Sequence, residues 1–242
     1  LGLYALRVTV GDGSHSVIDE QTIEMPFDYG PDLAAGMLRD WITATYSENG
    51  LNLSGLLGVG VSVSAPVAPD GTVHRSSIVP TWAGVNVSQE FGKALGATVL
   101  TANESNCSAV AELMWGAARG HDNFVLVKLD LGLGGAIVVD GRVVTGIAGG
   151  GGEFGHISLD PEGELCRCGN RGCLELKASF LAPLRELSRV YGRTVTIEEA
   201  VHLAQRGEAG PLRTLGDTAA YAGRGLAIVG NVLNPPLILI GG

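Results

Sequence analysis

Apolar positions along the chain change period several times, and each change predicts an element. Leu1 to Val10 alternates and predicts a strand, with Val17 to Met25 as its hairpin partner. Between residues 31 and 46, Leu33, Met37, Leu38, Trp41 and Ile42 recur at helical spacing. Leu56 to Val63 is a nearly unbroken apolar run, the kind buried on both faces of a central sheet. A short helix over 87–95, a strand over 97–100 and a helix over 104–118 follow, the last with Ala109, Val110, Leu113 and Met114 turned inward. Phe124 to Leu129 and Leu133 to Val139 read as a second hairpin. Three helices come next, over 181–190, 197–205 and 212–233. Thr196 with Glu199 marks a capping box at the start of the middle one. Pro235-Pro236 ends the last helix before a buried strand over 237–240. This is an α/β pattern. The boundary between two α/β domains, 1–119 and 120–242, is expected near Arg119 to Asn123.

Composition narrows the class. Hydrophobic residues make up 45% of 242, enough for a globular core, and no apolar run is long enough to span a membrane. No signal-peptide pattern opens the chain, and four cysteines fit a reducing cytoplasm. The net charge of −9 argues against these residues gripping nucleic acid, which needs clustered Lys and Arg. Both ends read as strand interiors, so further chain is expected before Leu1 and after Gly242.

Chemistry concentrates between Gly149 and Glu175, which reads GGGGEFGHISLDPEGELCRCGNRGCLE. Cys166, Cys168 and Cys173 fall within eight residues, and His156 lies ten residues earlier. Gly169 and Gly172 permit the sharp turns that bring three thiolates together. A His-Cys-Cys-Cys set suits tetrahedral zinc, and with no ligand position left for water the zinc is expected to be structural. The competing reading is a disulfide or idle thiols. Cys166 and Cys168 are too close in sequence for an easy disulfide. Cys107 is expected to be a reduced bystander.

The stretch Gly152-Glu153-Phe154-Gly155-His156, followed by Cys166 to Glu175, resembles the signature of the ROK family of repressors and sugar kinases. The closest resemblance is to its actinobacterial-type transcriptional regulators. It implies the actin-like, sugar-kinase (ribonuclease H-like) fold, with two α/β domains and a ligand cleft between them. It also implies that Glu153, His156 and Glu175 face a sugar, with His156 serving both the zinc and the sugar. Asn103-Glu104 stands where the kinases carry Asn-Asp, whose Asp is the general base. Glu is one methylene longer, which suits hydrogen bonding to a hydroxyl better than in-line phosphoryl transfer. A helix-terminal acid held by the dipole is the plainer account of Glu104. Solvated surface acids are the plainer account of Glu153 and Glu175.

Kinases of this family hold ATP phosphates on two glycine-rich turns. At the first, this chain places Leu3 and Tyr4 after Gly2; at the second, Asp130-Leu131-Gly132-Leu133-Gly134-Gly135. A carboxylate about 4 Å from one phosphate charge costs on the order of 4 kcal/mol at an effective dielectric of about 20. That is roughly a thousandfold in affinity. Ile78 stands where kinases place a sugar-binding Asn, and nearby Trp82 is either a site or a core residue.

Three readings follow. The first is the effector domain of a cytoplasmic, sugar-responsive regulator, forming a homodimer or homotetramer and binding DNA through a segment outside this chain, with no membrane partner. The second is an ATP-dependent sugar kinase of glucokinase or N-acetylhexosamine kinase type. The third is a zinc-stapled scaffold acting through protein contacts alone.

Overall fold

The computed structural model describes residues 5–74 and 79–242. The first glycine turn, at Gly2 to Tyr4, and Ile78 lie outside the described residues. The chain folds as two compact units. The first takes Leu1–Cys107 and Thr145–Gly150; the second takes Ser108–Val144 and Gly151–Gly242. The main division falls between Cys107 and Ser108, and the second unit includes the loop at 119–123.

In the first unit β1 (Ala5–Gly11) and β2 (Val17–Glu24) form an antiparallel hairpin. Helix α1 (Pro31–Glu48) follows, with Pro in its first turn. Strand β3 (Val59–Val63) pairs in parallel with β4 (Val99–Asn103), and α2 (Val87–Leu95) lies in the crossover. Alternate β1 residues Leu6, Val8 and Val10 point into a core shared with Leu38 and Ile42 of α1. Trp82 and Phe91 are almost fully buried at its centre, and the Trp82 indole donates to Tyr29 O at 2.9 Å. Trp82 is thus a core residue with its polar atom satisfied.

Helix α3 (Glu104–Trp115) carries the division between the units. Ser105, Asn106 and Ala109 are buried, and Leu113 packs on the core of the second unit. Val110 and Met114 are exposed, at 41% and 51%, against the inward placement expected of them. At 100° per residue, the face carrying Ala109 and Leu113 turns their next neighbours outward.

The second unit is built on a four-stranded sheet ordered β7-β6-β5-β8. Strand β5 (Phe124–Leu129) pairs antiparallel with β6 (Leu133–Val139) and parallel with β8 (Ile238–Gly241). Short β7 (Arg142–Val143) follows a turn in which Asp140 and Gly141 both have positive φ. Asp-Gly at these two positions is a two-residue hairpin signal. Phe124 and Leu126 enter one apolar cluster, Val125 and Val127 the other. Burial on both sheet faces explains the unbroken apolar run of β5.

Helices α4 (Glu175–Ala178), α5 (Leu181–Tyr191), α6 (Ile197–Gln205) and α7 (Ala209–Leu233) complete this unit. Thr196 Oγ1 accepts the Glu199 amide at 3.3 Å, one half of the expected capping box. The Glu199 side chain instead pairs with Arg193, a charged partner that outcompetes a neutral backbone amide. Among the described residues no helix is long and apolar enough to cross a membrane.

One glycine joins the future site to the sheet. Gly152 has φ +86°, and a Cβ there would run into the carbonyl of Gly135 in β6. Gly152→Ala is expected to destabilise the protein by about 1–3 kcal/mol, read as a lower urea midpoint. An unchanged midpoint would mean that this close approach is not needed.

Candidate metal and sugar site

The loop after β7 delivers the metal candidates. His156 ends a single 3₁₀ turn, Phe154–His156, and the chain then folds back on itself. Bridges join Ser158 to Cys173 and Leu165 to Arg171, making a narrow antiparallel knuckle. At its tip the Gly169 amide donates to Cys166 O and the Cys166 amide to Asn170 O. Gly172, at φ +59°, lies so close to Asp160 that a Cβ would strike its carbonyl.

This geometry brings one donor atom from each of His156, Cys166, Cys168 and Cys173 within 4.8 Å of one another. Cys168 and Cys173 have their sulfurs 3.6 Å apart, and Cys166 Sγ lies 3.7 Å from His156 Nδ1. A tetrahedral zinc with Zn–S bonds of about 2.3 Å would set its ligand atoms roughly 3.5–3.8 Å apart. Both measured edges fit. All four cysteines are free, and a disulfide needs sulfurs at about 2.05 Å. Burial and the neighbouring thiols push Cys173 up to about 12, and burial raises Cys166 too. Three packed thiols give up their protons when a cation compensates, which is how metal binding couples to deprotonation. The donor set therefore fits a metal ion.

His156 turns Nδ1 toward the cysteines, and its Nε2 stands 3.8 Å from Glu153 Oε2. Were Nδ1 to hold a metal, Nε2 would be the nitrogen left to donate. Burial raises Glu153 above the ordinary carboxylate range; His156 and Arg167 oppose the shift, and Glu175 adds to it. These influences place Glu153, His156, Glu175 and Arg167 within electrostatic reach of one another. Glu175 is buried at 8% exposure and is already engaged. Its Oε2 accepts the Leu133 amide at 3.0 Å, and Arg167 Nη2 lies 3.0 Å from both of its oxygens.

The turn between β5 and β6 is also engaged. Asp130 Oδ1 accepts the Leu131 amide at 2.7 Å, and Glu175 holds the Leu133 amide. Two of its amides thus already face carboxylates of the chain itself. The Leu131 side chain is exposed at 55%.

In the first unit Asn103 is engaged as a helix cap. Its Oδ1 accepts the Ser105 and Asn106 amides, and its Nδ2 donates to Ala65 O at 2.9 Å. Glu104 opens α3 and accepts the Ser64 hydroxyl at 2.5 Å. Asn106 is buried, and its Oδ1 has no partner among the described residues. Burial raises the Cys107 thiol, as suits a reduced bystander. Arg167, Ser64 and Asn106 were not singled out in the sequence. Only Arg167 carried any signal there, as a charge between two candidate metal ligands.

The ROK family model matches residues 1–242. The xylose repressor of Bacillus subtilis is 29% identical over 87% of this chain, which spans 54% of that repressor's length. Among solved structures, a ROK family transcriptional regulator homologous to E. coli Mlc superposes with a TM-score of 0.87 at 30% identity. That match covers all of this chain and 63% of the regulator. The ROK hexokinase of Thermus thermophilus gives 0.81 at 30% identity, covering all of this chain and 79% of the enzyme. These likenesses assign the actin-like, sugar-kinase fold.

Proposed function

The chain belongs to the ROK family, which holds both repressors and sugar kinases, and from that premise we propose that it is the sugar-sensing part of a transcriptional regulator. One observation carries this reading: the second glycine turn has its Leu131 and Leu133 amides on Asp130 and Glu175. A phosphate-binding turn aims such amides at the ligand's oxygens. Here two carboxylates hold them and repel a triphosphate.

The proposed metal is one structural zinc on His156, Cys166, Cys168 and Cys173. The proposed sugar contacts of the second unit are Glu153, His156 Nε2 and the remaining acceptor of Glu175; Asn103 and Glu104 are proposed as sugar contacts of the first unit. Carboxylates suit a sugar because each accepts several hydroxyls. DNA contact is assigned to other parts of the full-length protein, because these 242 residues carry a net charge of −9. A homodimer or homotetramer is proposed as the working state.

The second reading, an ATP-dependent sugar kinase, is favoured by the Glu104 carboxylate at the start of α3, fixed by Ser64. Release of ADP from ATP and magnesium, with D-glucose, D-xylose and N-acetyl-D-glucosamine as acceptors, separates the two. Turnover is expected to be absent or far below the usual enzymatic range of about 1–1,000 per second. A rate inside that range would establish the kinase.

A further inference from the structure

We propose that Arg167 is a positioning residue of the sugar site, acting through Glu175; this deepens the sugar-sensing reading and rests on it. Arg167 sits between two metal ligands in sequence, yet its guanidinium leaves the metal knuckle. Its Nη2 lies 3.0 Å from both oxygens of Glu175, at the start of α4. Glu175 in turn holds the Leu133 amide of the second glycine turn. A Cβ at Gly132 would come within 3.0 Å of Glu175 and 3.4 Å of Arg167, so the turn lies directly against this pair. The result is one chain of polar contacts from knuckle to carboxylate to turn.

The chain of contacts fixes what Glu175 can offer. A carboxylate has about four acceptor positions. Oε2 accepts from the Leu133 amide and from Arg167, while Oε1 lies in ion-pair contact with the same Arg167 nitrogen. The acceptor capacity that remains is on Oε1, and Arg167 sets its direction. The arginine also keeps a carboxylate of 8% exposure paired where burial alone would penalise its charge. Arg167 itself remains partly open, with its side chain 40% exposed. Its loss therefore leaves little cavity, and the variant is expected to fold.

The test is calorimetric titration of D-glucose, D-xylose and N-acetyl-D-glucosamine into the full-length protein and its variants. Arg167→Ala is expected to weaken whichever sugar binds the wild type by about fivefold to tenfold, within the range of measured pair couplings. Metal content should stay at one per chain. Arg167→Lys, which keeps the charge but not the planar guanidinium, should recover part of the loss. In a Glu175→Gln background, Arg167→Ala should have a much smaller effect, because the arginine then has no carboxylate to hold. Unchanged affinity in Arg167→Ala, alongside a large loss in Glu153→Ala, would overturn the role of Arg167 and leave the sugar reading standing. Loss of metal together with sugar in Arg167→Ala would overturn it in favour of a purely structural arginine. Failure of all three sugars to bind the wild type at millimolar concentration would overturn both.

Discussion

Cys168→Ser is expected to lose the metal and, with it, the sugar response. Purified wild type should carry one zinc per chain by elemental analysis, and Cys168→Ser well under one. Cys168 is the ligand best suited to this test. It is exposed, whereas Cys166 and Cys173 are buried at 2% and 0% exposure, so the substitution disturbs packing least. Loss of one thiolate from a four-ligand site opens it to water and weakens the rest. The knuckle has few other supports: two isolated bridges, a handful of backbone bonds, and cysteines that otherwise repel when ionised. Structural zinc contributes about 10–16 kcal/mol in small zinc-folded peptides. Even a fraction of that should appear as a fall in thermal midpoint and earlier proteolysis between residues 157 and 174. The sugar response should fall too, because Nδ1 coordination holds the His156 ring and makes Nε2 a donor. Cys107→Ser is the control and should keep metal and response. A zinc-free wild type, or a Cys168→Ser protein that binds sugar normally, would refute this account.

The candidate metal group was legible in the sequence because ligation demands both residue type and spacing. Three cysteines and a histidine can be read without coordinates, and the fold brings those four together. The elements of strong period were legible for a related reason. Helices α2 and α6 and strands β5 and β6 run over the residues their patterns predict. What the sequence hid was competition between partners. Glu199 had a cap to complete and took Arg193 instead. Glu175 and Asn103 carry polar groups suited to a sugar, yet most of their capacity goes to the Leu133 amide, to Arg167 and to the start of α3. Local spacing gives no sign of a partner such as Leu133, 42 residues from Glu175. Val110 and Met114 differ from expectation for another reason: apolar character alone predicts burial, although the helix turns both outward.

That competition separates the acidic candidates, and the sharpest consequence falls on Glu153. Glu153→Ala is expected to weaken sugar binding about tenfold or more while leaving metal and fold intact. Among the described residues its carboxylate makes no close hydrogen bond; the nearest partner is His156 Nε2 at 3.8 Å. It is partly buried, with a side-chain exposure of 34%, so its acceptors are neither saturated by protein nor fully given to water. Removing one charged hydrogen-bond partner costs about 1.5–3 kcal/mol, which is roughly a tenfold to hundredfold change in affinity. Glu175→Ala should differ in kind. It frees the Leu133 amide and the Arg167 guanidinium, so part of its cost is expected in stability as well as in sugar affinity. Calorimetry for binding and urea melting for stability, run on both variants, separate the two roles. Glu153→Ala should move the first measurement alone, and Glu175→Ala both. Should Glu153→Ala bind the sugar as tightly as wild type, the unsaturated carboxylate beside His156 is a surface acid, and the sugar contacts must be sought on other residues.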